Sequence, residues 1–381
     1  MERYYPDEDD MRTGTLVINA HLTNRAGEQF IEISKSVGLT YSFFDPVSGS
    51  LVEVIREDGE FRIFAESDPG YYRADLDKSF LQTGGAYMLH VVTAEGKEYE
   101  SAFDKLRPVP AIDSLYYEVE TNSFPSESDS VSGIRFYCDF NYDDEAYENI
   151  RWELTETYEF HNRDDLDYFI LDLDHWVKVM PDSSIYPICY ITNELLTVHS
   201  MSLGSLDLGK YVRKPFGFVP NDQREQKLNH KYSLLVNQYS LGQEAFHYWN
   251  ELKKTSQEQG SLFDRQPALQ KSNIQNVNDE TEVVLGFFSM AGVVEKRAFA
   301  VKPEGLDLSP YKDHCYVMPM PGEEYITVGY FRPGGYYPRD PPPMYIVRPR
   351  LMFELPFMLA DKACVDCREY KNSTDILPDF W

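Results

Sequence analysis

Residues 133–160 read GIRFYCDFNYDDEAYENIRWELTETYEF, and their pattern decides the fold. In the first half Ile134, Phe136, Cys138 and Phe140 occupy every second position. In the second half apolar and polar residues alternate again from Ile150 to Phe160. A period of two sends successive side chains to opposite faces of an extended chain, so each half is a half-buried strand. Asn141-Tyr142-Asp143-Asp144 separates them as a turn signal. The pair is expected to form a hairpin or adjacent strands of one β-sandwich. The same signature recurs upstream. In GTLVINAHLT (14–23), Leu16, Ile18, Ala20 and Leu22 alternate. LVEVIRE, EFRIFAE and YMLHVVTAEGKEYES follow at spacings of about ten residues, as in small sandwiches. The last carries a hairpin signal at Glu95-Gly96.

Arg107-Pro108-Val109-Pro110 marks a boundary, because neither proline can continue a ladder. At roughly 150 residues per domain, 381 residues make two or three. The expected fold class is mainly β: two β-sandwich domains of immunoglobulin or fibronectin-III-like type, 1–107 and 108–347. A Cys-containing tail, 348–381, is expected to pack on the second. KYSLLVNQYSL (231–241) is a further strand. One α-helix is expected as an insertion near 241–258. Ser240 and Gln243 have capping-box spacing, Ala245, Trp249 and Leu252 follow at i, i+4 and i+7, and Gly260 ends the run. The helix's aromatic face points to core packing. VVLGFFSMAGVVEKRAFAV (283–301) is expected to make two buried strands around Gly292. GYFRPGGYYPRDPPPMY (329–345), with five prolines, cannot be a central strand and reads as an irregular C-terminal arm.

Thirty-six Lys and Arg stand against 63 Asp and Glu, a net charge of −27. Such a chain repels phosphate, which argues against nucleic acid as a partner and against electrostatic docking on anionic lipid. No run of about 18 apolar residues occurs, so no helical span is expected. Met1-Glu2-Arg3 leads into Asp7-Glu8-Asp9-Asp10, which reads as a start placed after a removed targeting segment. Of five cysteines, Cys138 lies on the apolar face of a strand and is expected to be a buried free thiol. Cys189, Cys315, Cys364 and Cys367 are disulfide candidates, with the pairing open. Disulfides there imply an oxidising compartment. The CxxC of Cys364 and Cys367 lacks a second ligand pair for zinc.

GxSxG, HExxH, GxGxxG and the EF-hand loop are all absent from the sequence. Gly204–Lys210 begins like a P-loop but fails at Tyr211, where a hydroxyl must reach Mg²⁺. The eight histidines show no metal spacing, and neither metal nor cofactor is expected. Residues 139–182 hold 14 acidic and 3 basic side chains, centred on Asp164, Asp165, Asp167, Asp172 and Asp174. Clustered carboxylates can hold a cation, meet a partner, or supply the acid and nucleophile of a glycosidase. A solvated acidic face is the plainer reading. Tyr336, Tyr337 and Tyr345, set among Pro and Gly, are candidates for ligand or partner contact, since tyrosine covers large area at small entropic cost.

Several stretches resemble one family. They are LVINAHLTN (16–24), PVSGSLVEV (46–54), PVPAIDSLYYEV (108–119), most of all the block from Tyr232 to Phe299, and the tail CVDCREYKNSTDILPDFW (364–381). Together they resemble the domain of unknown function 4249 family of Bacteroidetes. The tail departs from that family's Gly-rich step at Asn372–Leu377. The resemblance implies a lipoprotein of the cell envelope, anchored to the outer membrane by a lipidated cysteine. It also implies a gene that accompanies a TonB-dependent outer-membrane receptor in nutrient uptake. The family offers no catalytic residues to carry over. The leading expectation is therefore a non-enzymatic accessory or ligand-binding partner of such a receptor, with a glycan or peptide as ligand. The alternatives are a glycan-directed envelope hydrolase using carboxylates of 139–182, and a purely structural surface protein.

Overall fold

Alternation is realised as strands almost throughout. The computed structural model describes residues 14–37, 44–123, 130–142, 146–161, 166–172, 175–179, 188–204, 209–221, 226–257, 272–308, 317–319, 344–349, 358–361 and 366–381. Nine strands come first: β1 (Leu16–Thr23), β2 (Gly27–Lys35), β3 (Asp45–Pro46), β4 (Leu51–Arg56), β5 (Phe61–Asp68), β6 (Tyr71–Leu76), β7 (Ala86–Val92), β8 (Glu98–Ser101) and β9 (Asp104–Lys105). Then follow β10 (Ile112–Ser123), β11 (Ser130–Tyr142), β12 (Asn149–His161), β13 (Leu166–Asp172), β14 (His175–Val179), β15 (Ile188–Ser202), β16 (Gly209–Pro220) and β17 (Lys231–Leu241). Helix α1 (Gln243–Gln257) precedes β18 (Ile274–Asn276), β19 (Leu285–Val301), β20 (Val317–Pro319), β21 (Met344–Pro349), β22 (Met358–Asp361) and β23 (Ser373–Thr374). The protein is mainly β, with one α-helix among the described residues.

In the first module β5 changes layer. It pairs with β4 through Phe61–Phe64 and with β6 from Ala65 onward. The layers close over Ile18, Ile33, Val54, Phe64, Leu89 and Phe288, all but excluded from solvent. The expected alternation holds, with Leu16, Ile18, Ala20 and Leu22 buried on β1. The hairpin at Glu95-Gly96 also forms, Gly96 taking φ +82°.

In the second module β10, β11 and β16 form one sheet, and β12, β15, β17 and the second half of β19 form the layer facing it. Phe136 packs 5.7 Å from Tyr232, and Phe140 5.8 Å from Trp152. The halves of 133–160 are thus not a hairpin or neighbours. β11 pairs with β10 and β16, whereas β12 pairs with β15 and β17. Their apolar faces meet across the core, a solution that alternation permits equally well. A separate five-stranded sheet runs β14-β13-β21-β22-β20.

The two modules share β19. Its Leu285–Ala291 half runs parallel to β1, and its Gly292–Val301 half runs antiparallel to β17. The expected pair of strands around Gly292 is one 17-residue strand. Gly292 is there for proximity and not for a turn, because a Cβ would lie 2.4 Å from the Arg107 carbonyl oxygen. β18, from the same stretch of chain, pairs with β8. The 107–110 connection is pinned by β17. Ser240 Oγ donates to the Arg107 carbonyl (3.0 Å), and Gln238 Nε2 donates to that of Pro110 (2.6 Å). Gln238 Oε1 in turn accepts from the indole of fully buried Trp152 (2.8 Å), so that large apolar side chain leaves no orphaned donor.

Candidate functional site

Helix α1 lies where the modules meet. Its start differs from the expected capping box. Ser240 remains in β17 and its hydroxyl is engaged by Arg107 and Gly292. Gly242 takes the cap position, and its carbonyl accepts from Phe246 N at 2.9 Å. A Cβ at 242 would lie 2.6 Å from the Arg107 guanidinium, so close approach selects glycine there. Ala245 packs with Leu241, Phe287 and Ala291, and Phe246, Tyr248 and Trp249 border that cluster. The aromatic face of the helix does serve packing.

Around Trp249 the contact turns polar. The Arg151 guanidinium lies 3.5 Å from the Trp249 ring centroid and forms an ion pair with Glu153. Glu153 also accepts from the Tyr239 hydroxyl at 2.6 Å, and burial and this carboxylate raise the Tyr239 pKa. Arg25, in the β1–β2 turn, reaches Glu295 (2.5 Å) and Asn237 (2.7 Å), tying the first module to the second. His21 Nδ1 is 2.9 Å from Ser289 Oγ, with its ring 4.9 Å from that of Trp249. Burial of the ring among protein atoms, then the charge of Arg151, pushes its pKa down to about 4, while the residue as a whole remains exposed.

Beside this contact opens a cavity of about 590 Å³ between α1, β8, β18 and the start of β19. Tyr248 and Phe287, stacked at 4.7 Å, supply an aromatic wall. Glu100, Glu244, Glu251 and Glu280 bring carboxylates to its lining, which includes neither Lys nor Arg among the described residues. The Asn273 and Asn276 amides are committed elsewhere, to Phe288 O and Glu282. The cavity thus presents acceptors and an aromatic surface to a small polar molecule. Nothing in the alternating strands announces it, because its walls come from residues 100–102, 244–251 and 272–287.

Among the described residues, none of the expected site residues lines this cavity. Tyr336, Tyr337, Asp164, Asp165, Asp174, Cys315 and Cys364 fall outside the described residues. Asp167 and Asp172 sit on β13, and Tyr345 sits on β21 and not in an irregular arm. The strand is explained by MYIVRP, which carries a short run of β-branched and aromatic residues once the prolines end at Pro343. Elsewhere in 139–182, described carboxylates are held in structural bonds. Asp139 accepts from Ser114 Oγ and Arg213 N, and buried Glu156 accepts from Lys227 and Tyr232. Among the cysteines, Cys189 and Cys367 are joined, and Cys138 is a buried free thiol whose pKa burial pushes up to about 12. The bridge ties the tail to β15, and Tyr370 packs 4.6 Å from Phe160 of β12 while Trp381 packs 5.4 Å from Tyr190 of β15.

Two histidine groups are assembled that the sequence kept apart. His90 has Nδ1 3.0 Å from Glu53 and Nε2 3.0 Å from Glu98 on the outer face of the first module. His161 has Nε2 2.5 Å from Glu159 Oε1, and its ring stacks on His230 at 3.4 Å. Burial disfavours the Glu159 charge, but the His161 and Trp381 ring N–H groups outweigh it and lower the carboxyl pKa. Burial, then His161, lowers that of His230. The only signal in the sequence was Glu-x-His on a strand, which places both side chains on one face.

These features define a mainly β protein of two layered modules joined by a shared strand, with a ligand-sized cavity at the junction. The chain belongs to the family described as domain of unknown function (DUF4249), which matches residues 1–297. No curated protein matches it. Among solved structures, trypsin-activated alpha-2-macroglobulin from Escherichia coli is similar at 10% identity and a TM-score of 0.20, over 61% of this chain and 15% of that one. The native conformation of E. coli alpha-2-macroglobulin gives 9% identity and a TM-score of 0.19, over 61% and 13%. The chain therefore spans a small fraction of the length of those proteins.

Proposed function

We propose that the protein is a lipid-anchored protein of the cell envelope, without catalytic activity of its own, that serves a TonB-dependent outer-membrane receptor. It holds a small polar ligand, a glycan or peptide, in the junction cavity. The observation that carries this reading is the bond between Cys189 and Cys367, 178 residues apart in sequence and both fully buried. Structural disulfides form and persist in oxidising compartments and are rare in the cytosol. Family resemblance supports the lipid anchor and the receptor. Two acyl chains hold a protein on a membrane even when, as here, its net charge of −27 is repelled by anionic lipid. The cavity lies within the size range of small-molecule sites, about 300–1,000 Å³.

The test is metabolic labelling with radioactive palmitate in native cells, using the complete gene, followed by membrane fractionation. The reading predicts a labelled chain in the outer-membrane fraction. An unlabelled chain in the cytosol would refute it.

A further inference from the structure

We propose that Glu159, His161 and His230 form a binding site for one divalent first-row transition ion of the Zn²⁺ class, held by two imidazole nitrogens and one carboxylate oxygen. β12 delivers Glu159 and His161 two residues apart, so both leave the same face of the strand. His230 precedes β17, the strand that pairs with β12, and so joins them from a position 69 residues further along the chain. The three donor atoms lie within 4.8 Å of one another. Metal–ligand bonds of about 2.0–2.2 Å place neighbouring donors of a tetrahedral ion about 3.3 Å apart, so small movements suffice.

The surroundings suit a metal. Two imidazoles and a carboxylate leave a fourth position for water or a ligand atom, as in open zinc sites. The carboxylate is oriented from behind, because Glu159 Oε2 accepts from the Trp381 indole N–H at 3.2 Å. Metal-bound carboxylates are usually hydrogen-bonded in this way by a neighbour outside the coordination sphere. Trp381 also packs on Tyr190 and Phe299, an aromatic flank whose Trp381 and Phe299 rings lie under the Lys231 ammonium at 4.6 Å. One feature fixes how loading must proceed. The two rings are only 16° from parallel, so one ion cannot lie in both ring planes. An imidazole must turn, and His230, in the bend ahead of β17 and not within a strand, is the one assigned that movement.

The test is calorimetric titration of the chelator-treated full chain with Zn²⁺, with visible absorption of the Co²⁺ form reporting coordination. We expect one Zn²⁺ bound tighter than about 1 μM. We expect at least about tenfold weakening by His161→Gln and by His230→Gln, and about tenfold weakening by Trp381→Phe, which removes the orienting donor while keeping an aromatic ring beside Tyr190 and Phe299. His90→Gln, in the other histidine group, leaves affinity unchanged. Circular dichroism confirms that each variant is folded, and the Co²⁺ spectrum of the intact chain needs no variant. The proposal is overturned by absence of stoichiometric binding. It is equally overturned by binding that survives both His161→Gln and His230→Gln, or by binding lost on His90→Gln instead.

Discussion

Breaking the Cys189–Cys367 bond is the perturbation whose size follows most directly from the structure. The bridge closes a loop with a sequence separation of 178 residues. Cross-linking a loop of that length removes about 17 cal/mol/K of denatured-chain entropy, or about 5 kcal/mol at 25 °C. Both sulfurs lie in the second core beside Phe160 and Tyr370, so cutting the bond also loosens the docking of 366–381. The double variant Cys189→Ala, Cys367→Ala and the reduced wild type should therefore unfold alike. In urea their midpoint should fall by more than about 1 M relative to the oxidised protein. Limited proteolysis should then release the tail containing Trp381 under native conditions. Coinciding unfolding curves for oxidised, reduced and doubly substituted protein would refute the reasoning, as would a tail equally resistant in all three.

Gly286 adopts φ +87°, and a Cβ there would lie 2.1 Å from the Ile18 carbonyl oxygen. Gly286→Ala should cost about 2–4 kcal/mol by denaturant titration, because the left-handed backbone and the clash with β1 add. Glu156→Ala removes the carboxylate that Lys227 and Tyr232 both reach at 2.8 Å in the second core. Its expected cost is about 3–5 kcal/mol, measured the same way. His90 is partly buried, which opposes its charge, but hydrogen bonds to Glu98 and Glu53 prevail and raise its pKa above 6.5. A raised folded value means that the protonated ring stabilises the fold fully below the unfolded pKa. That contribution is lost as pH rises through the folded value. Melting temperatures across pH 5.5–8.5 should show a downward step that His90→Gln abolishes. Ala102→Trp projects an indole into the junction cavity from an exposed position. It should eliminate any ligand-induced thermal shift while leaving the unliganded melting temperature within about 1 °C, since surface substitutions usually change stability little.

Much of the fold was legible because alternation is a local signal. The buried Leu16, Ile18, Ala20 and Leu22 series, the hairpin at Glu95-Gly96 and the β17 strand each depend only on neighbours in sequence. What alternation lacks is the identity of the partner. It could not say that β11 and β12 face each other across a core, nor that β19 divides its pairing between β1 and β17. Gly292 looked like a break because glycine in a strand marks either a bend or a close approach, and only the position of the Arg107 carbonyl decides between them. Ser240 looked like a cap because its hydroxyl can serve a helix end or a distant backbone equally well. The cavity and the Glu159–His161–His230 group were illegible for the same reason, being assembled from segments that the chain separates widely.

The proposed partnership with an outer-membrane receptor can be tested directly in native cells. Affinity isolation of the chain from cross-linked outer membranes of native cells is the decisive measurement. The account predicts a TonB-dependent β-barrel receptor recovered in near-equimolar amount, with Cys189 and Cys367 joined in the isolated chain. A chain recovered alone, from the cytosolic fraction and with both thiols free, would contradict it.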